Sequence, residues 1–225
     1  MLISTPSRSS VSTQLLMQSR FLYVDDTKTW EAFRGGNQTA FEYIYQTHFS
    51  SLYNYGRKFS KDDGLIGDTL QQLFTDLWQK RKSLGKTDKI KNYLYTAFRR
   101  SLLRNQKRSY QKVALPTTSS FEIILSHETR LIQQQSTQEQ AESLQQALDQ
   151  LTEKQREVIY LKFYDGLSYA EISNIMGVSS AQVYDFMYKA LRSLRRNVKK
   201  PSALDSLTSS AFILALIHQL TVFSS

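Results

Sequence analysis

Residues 151–196 read LTEKQREVIYLKFYDGLSYAEISNIMGVSSAQVYDFMYKALRSLRR, and the punctuation of this stretch decides the fold. Thr152 followed by Gln155 forms a capping box, in which the two side chains satisfy each other's free backbone N–H groups at a helix start. It opens a helix carrying Val158, Ile159, Tyr160 and Leu161, which Asp165-Gly166 ends. Ser168 with Glu171 is a second box, opening a short helix with Ile172, Ile175 and Met176. Gly177-Val178-Ser179 then makes a tight turn, and Ser179 with Gln182 starts a longer helix. Val183, Phe186, Met187, Ala190, Leu191 and Leu194 share one face of that last helix. A short helix, a glycine turn and a longer helix with a basic end make the helix-turn-helix pattern.

The rest of the chain is helical by elimination as well as by pattern. Its 225 residues are 40% hydrophobic and 12% aromatic, enough to bury cores, while 8 Gly and 3 Pro are too few for a turn-rich β fold. The absence of cysteine excludes disulfide scaffolds, thiolate metal sites and cysteine nucleophiles. His48, His127 and His218 stand too far apart for a metal or triad spacing, so neither a cofactor nor a catalytic role is expected. Residues 1–28 are Ser/Thr-rich without the continuous apolar core of a secretory signal and read as a flexible leader. Residues 211–223 are mostly apolar but fall short of the roughly 20 that span a bilayer. The expectation is a cytoplasmic protein without membrane insertion, whose residues 201–225 form an apolar docking helix.

Charge is concentrated. Lys80, Arg81, Lys82, Lys86, Lys89, Lys91, Arg99, Arg100, Arg104, Lys107, Arg108 and Lys112 face one acid, Asp88, over residues 80–112, a net of +11. The whole chain carries +9, so everything else sums to −2. Tyr93, Tyr95 and Phe98 interleave with the cations. Cations neutralise phosphates and aromatic faces stack on unpaired bases, so the stretch suits partly single-stranded nucleic acid.

Four helices precede the linker. A short one over residues 29–34 is stopped by Gly35-Gly36, and Asn37 caps the next, on which Phe41, Ile44, Tyr45, His48, Leu52 and Phe59 keep helical spacing. This makes His48 a partly buried core residue rather than a catalyst. A third, over residues 65–84, carries the stripe Leu70, Leu73, Phe74, Leu77 and Trp78, with Asp68, Gln71, Gln72 and Thr75 opposite. The fourth, over residues 89–109, holds much of the basic charge. Residues 113–143 shift to loop-forming and polar composition, with a net charge of −3 from Glu122, Glu128, Glu139, Glu142 and Arg130. The division is therefore a leader (1–28), a first domain (29–112), a flexible acidic linker (113–143), a helix-turn-helix domain (144–200) and the tail (201–225). The fold class is all-α, two small helical domains on one chain.

Both halves together resemble a bacterial RNA polymerase sigma factor of the extracytoplasmic-function (ECF) group, in a style similar to members from Bacteroidetes-like bacteria. Asp68-Thr69-Leu70-Gln71-Gln72-Leu73-Phe74 resembles the family's polymerase-binding helix, D-L-V-Q-E-V-F. Tyr93-Leu94-Tyr95-Thr96-Ala97-Phe98-Arg99-Arg100 resembles the W-L-Y-T-I-A-R-N stretch that opens the −10 element. Residues 151–196 resemble the domain that reads the −35 element. The resemblance implies a non-enzymatic initiation factor whose partners are core RNA polymerase (its β and β′ subunits) and promoter DNA, with an anti-sigma factor or another recruiting protein as a further partner. It assigns polymerase binding to Asp68, Leu70, Gln71, Gln72 and Phe74. It assigns the opened −10 strand to Lys86, Lys89, Lys91, Asn92, Tyr93, Tyr95, Arg99, Arg100 and Arg104, and the −35 element to Ser180, Gln182, Tyr184, Asp185, Tyr188, Lys189 and Arg192. The acidic linker resembles the segment that threads the polymerase channel as a stand-in for nucleic acid.

The recognition helix departs from the family pattern. Tyr184, Asp185 and Tyr188 stand where Arg or Lys is common, and no cation occurs between Ser179 and Lys189. Gln182 suits adenine and Ser180 several base edges, while Asp185 accepts only from cytosine or through a water and repels phosphate. Weak or unusual −35 reading follows, and with it the variant of a sigma factor brought to DNA by another DNA-bound or RNA-guided protein. The alternatives are a stand-alone helix-turn-helix regulator and a recombinase-like enzyme. The latter needs clustered carboxylates, for which Asp62-Asp63, Asp68 and Asp76 read as capping and surface acids instead.

Overall fold

A computed structural model describes residues 25–113, 121–123 and 135–197, with side chains over 25–109, 121–123 and 142–197. Residues 1–24 of the leader, most of the linker loop and the expected docking helix at 201–225 lie outside the described residues. Every described element is helical, in two groups of four helices.

The first group comprises α1 (Asp26–Arg34), α2 (Gln38–Gly56), α3 (Asp63–Lys80), a single 3₁₀ turn (Arg81–Ser83) and α4 (Ile90–Val113). α1 starts three residues before the expected position because Asp25 caps it, its carboxylate accepting from the N–H groups of Thr27 and Lys28. Asn37 and Asp62 cap α2 and α3 in the same way. The start of α4 is satisfied from a distance, since the Ile90 N–H donates to Asp26 at 2.8 Å. Trp30, Phe33, Ile44, Leu52, Leu70, Phe74, Leu94 and Phe98 make the core of this group. Gly56 is required by packing: a Cβ there would meet Ile66 at 2.9 Å and the Phe98 ring at 3.0 Å, so α2 ends close against α3 and α4.

The second group comprises α5 (Gln135–Asp149), α6 (Glu153–Ile159) running into a wide π turn (Tyr160–Tyr164), α7 (Tyr169–Met176) and α8 (Ser180–Asn197). α5 begins inside the stretch expected to be linker, and its Leu144, Ala147 and Leu148 join the second core. The capping boxes at Thr152 and Ser168 form reciprocally, and Ser179 and Gln182 exchange the same two bonds. Gly177 closes α7 at φ 66°, left-handed backbone that any residue with a Cβ adopts only under strain.

The groups pack on each other, α4 lying against α7. Between them sits Phe121, a linker residue 1% exposed, its ring 4.9 Å from Phe59, 6.1 Å from Tyr55 and 5.8 Å from Tyr160. The Glu122 N–H donates to Lys58 O in the first group, while Arg156 and Gln145 of the second donate to the carbonyls of Phe121 and Ile123. The linker expected to be loose is thus seated at these three residues, by one large ring and a hydrogen bond at each.

Candidate nucleic-acid and polymerase interface

The exposed side of α3 presents Asp68, Gln71, Gln72 and Thr75 to solvent. Leu70 and Phe74, which the resemblance assigned to polymerase binding and the helical pattern to the opposite stripe, are 0% and 4% exposed and belong to the core. This corrects the assignment for both: they lie on the inward phase of the helix and support the surface instead of forming it. Gln72 donates to Asp76 at 2.9 Å, and Lys80 pairs with the other Asp76 oxygen at 3.3 Å. Beside them a groove of about 320 Å³ runs between α3 and α4, lined among others by Gln72, Asp76, Lys80, Arg104 and Arg108.

α4 divides its basic residues between two sides. Arg100, Arg104, Lys107 and Arg108 are exposed at spacings of three to four residues and form one solvent-facing row. Lys91, Tyr95 and Arg99, four residues apart, form a second row that faces the other domain. There Arg99 grips Glu157 with two bonds, Nε to Oε1 at 2.6 Å and Nη2 to Oε2 at 3.0 Å. The Tyr55 hydroxyl donates to the same Oε1 at 2.5 Å, and Glu157 is 2% exposed. Tyr95 donates to Asp165 Oδ1 at 2.8 Å, and Lys91 donates to the Asp165 carbonyl at 2.6 Å with its carboxylate 3.6 Å away. Asn92 donates to the Glu171 carbonyl at 2.9 Å, and Lys89 pairs with the Glu171 carboxylate at 3.6 Å. Tyr93 packs on Trp30 at 5.0 Å, and Lys86 reaches Glu31 at 4.0 Å. Of the nine residues assigned to the opened strand, five therefore meet the helix-turn-helix domain and two pack against or pair with α1. Arg100 and Arg104 face solvent.

Burial sets the electrostatics of this junction. It pushes the Asp165 carboxyl up to about 6, against the pull of Lys91 and Tyr95. It raises the Tyr55 and Tyr95 hydroxyls well above the ordinary phenol range, reinforced by Glu157 and Asp165 respectively. Burial also opposes the charge on Arg99, which the Glu157 carboxylate more than restores. Burial holds His48 on α2 down to about 4, with Asp26 pulling it up and Lys91 adding to the depression.

The recognition helix α8 carries Tyr184 and Tyr188, 56% and 65% exposed. Tyr184 leans on Tyr169 of α7, ring centroids 4.3 Å apart. Lys189 is paired with Asp185 one turn back at 2.8 Å, so the one cation at the front of the helix is neutralised by its neighbour. The Gln182 carbonyl oxygen accepts from the Ser179 N–H and hydroxyl, so a bidentate grip on adenine competes with the cap. Ser180 and Arg192 are exposed.

Tyr55, Phe121, Glu157 and Asp165 escape a reading of the sequence. Two signals were present. Glu157 falls on the inward phase of α6 beside Val158 and Leu161, an odd place for a carboxylate without a partner. Asp165 serves as a helix stop, and that role hides its second one. No group of three or more metal-ligating side chains occurs among the described residues, and no described helix is long and apolar enough to cross a membrane.

Residues 141–194 match the sigma-70 region 4 family. The ECF RNA polymerase sigma factor SigL of Mycobacterium tuberculosis is 24% identical over 166 residues, covering 70% of this chain and 88% of its own. SigK of Mycobacterium ulcerans is also 24% identical, covering 71% and 86%. Among solved structures, CnrH in complex with the cytosolic domain of CnrY shares the fold at a TM-score of 0.51 and 19% identity, covering 76% of this chain and 95% of its own. The sigma factor RpoE of Bartonella quintana, in complex with the anti-sigma factor NepR, gives 0.50 and 21%, covering 69% and 94%. The second domain thus matches region 4 of sigma-70, and over most of its length the chain is similar to ECF sigma factors of RNA polymerase.

Proposed function

We propose that this chain binds core RNA polymerase through the exposed face of α3, at Asp68, Gln71 and Gln72, and directs promoter opening. α4 holds the displaced −10 strand, with Arg100 and Arg104 on its phosphates and the Lys89 to Arg99 row completing the grip once the domains part. α8 meets the −35 element with Ser180, Tyr184, Tyr188, Lys189 and Arg192, a tyrosine-rich surface that favours contacts with thymine methyls and sugars over phosphate grip. No bond is made or broken by the protein: melting follows from binding the opened strand more tightly than the duplex.

The observation that carries this reading is the α4 cation row standing next to a polar, exposed α3 face, in a chain whose relatives are named RNA polymerase sigma factors. An anti-sigma partner is supported by the neighbour RpoE, solved with NepR. The test is transcription in vitro with core enzyme, together with a titration of core by the Asp68→Ala, Gln71→Ala, Gln72→Ala variant. All three side chains are exposed, so the fold is retained. Weakened core binding is expected. Equal affinity for core would remove α3 as the docking face, and no affinity even in the unaltered chain would favour the stand-alone helix-turn-helix regulator.

A further inference from the structure

The contact between the domains is built from the groups that the functional reading needs free. Glu157, Asp165 and Glu171 stand along α6, the following turn and α7; the first two meet the inner row of α4, and Glu171 meets Lys89, just before α4, and Asn92 in its first turn. Their partners are Arg99 with Tyr55, Lys91 with Tyr95, and Lys89 with Asn92. Three carboxylates set against a helical row of cations and hydrogen-bond donors repeat what consecutive phosphates of a nucleic-acid strand offer. The arrangement is specific. Glu157 has both oxygens engaged by a planar guanidinium and one by a phenol, in a setting with almost no solvent. Such a buried pair adds little to net stability, yet it is costly to leave half-made, so it selects one closed register of the two domains. Phe121, wedged between Phe59 and Tyr160, holds the same register from the linker side.

We propose that the chain is self-inhibited: Glu157, Asp165 and Glu171 of the helix-turn-helix domain occupy the inner row and the start of α4 and keep them from single-stranded DNA until the domains separate. This rests on the reading of α4 as the strand-holding helix. Apparent affinity for the strand is the intrinsic affinity scaled by the open fraction, so a closed majority weakens binding in proportion.

The full-length chain tests it, compared with E157Q/D165N/E171Q and with Y55F. Each exchange is close to isosteric, and Gln at 171 still completes the capping box with Ser168. A charge-matched control, E42Q/D149N/E153Q, neutralises three exposed acids away from the row. Small-angle scattering reads the separation of the domains. Anisotropy of a fluorescein-labelled, A/T-rich single-stranded oligonucleotide reads the strand affinity at fixed salt. The triple variant is expected to be more extended and to bind roughly tenfold tighter or better. Y55F is expected to shift the same way by less, and the control to remain compact with little gain. A triple variant as compact as the unaltered chain would overturn the clasp. An extended variant without tighter binding would instead overturn the masking, by showing that the α4 row is not a strand site. An equal gain in the control would reduce the effect to net charge and overturn the proposal as well.

Discussion

Replacing Phe121 with Ala removes the largest side chain by which the described linker residues hold both domains. Its ring is essentially inaccessible, and an aromatic of this kind buries on the order of 150–200 Å², worth about 4–5 kcal/mol at 25 cal/mol per Å². The three hydrogen bonds at Phe121, Glu122 and Ile123 add roughly 1 kcal/mol each. Ordering three residues costs about 1–2 kcal/mol apiece, which leaves a net seating free energy near 3 kcal/mol. That net value is the ceiling on the effect of Phe121→Ala, because beyond it the segment simply lets go and recovers its freedom. A rigid cavity would cost up to about 5 kcal/mol.

The assay follows from where the reporters sit. Both tryptophans, Trp30 and Trp78, lie in the first domain, so their fluorescence reports its denaturant unfolding, whereas far-ultraviolet circular dichroism reports both domains. In the unaltered chain the two transitions are expected to coincide. In Phe121→Ala they are expected to separate, with a loss of about 3 kcal/mol from the coupled unit, and the linker should become sensitive to protease; Phe121→Leu should lose less than half as much. A loss below about 0.5 kcal/mol, with the transitions still superimposed, would refute the wedge and the calculation together.

Three other perturbations are as direct. Arg100→Ala and Arg104→Ala should each lower the salt slope of promoter binding by the polymerase complex by about one unit per lost phosphate contact, and an unchanged slope would make that row a solvated face. His48 is held neutral at about 4, below its ordinary 6.5, so the stability it contributes is complete above about 6.5 and is lost as pH falls toward 4. Tryptophan-detected melting of His48→Gln should therefore decline less than that of the unaltered chain between pH 7 and 4.5; parallel curves would point to other groups. Gly177→Ala meets no atom within 4 Å, so its cost is conformational alone, about 1–2 kcal/mol for placing a Cβ at φ 66°, readable as a drop in the second domain's melting temperature. No measurable drop would mean that the turn adopts another backbone.

The helix-turn-helix domain was legible in the chain because its signals are local. A capping box closes over three residues, a glycine at positive φ ends a helix by itself, and helical spacing assigns Val183, Met187, Ala190 and Leu194 to one side without reference to anything else. The same logic marks the core stripe of α3, and attention to its phase alone separates inward Leu70 and Phe74 from outward Asp68, Gln71 and Gln72. The excess charge on α4 was equally visible, but only as a total. Which cations face water and which face carboxylates depends on the rotation of α4 against α6 and α7, and that is set by cores whose contacts cross long stretches of chain. Tyr55 and Glu157 are 102 positions apart, Arg99 and Glu157 are 58, and Lys91 and Asp165 are 74. A carboxylate read alone is a capping or surface acid. Only close packing in a dry junction, where an unpaired charge is too costly to keep, turns Glu157 and Asp165 into the partners of the helix that reads as DNA-binding.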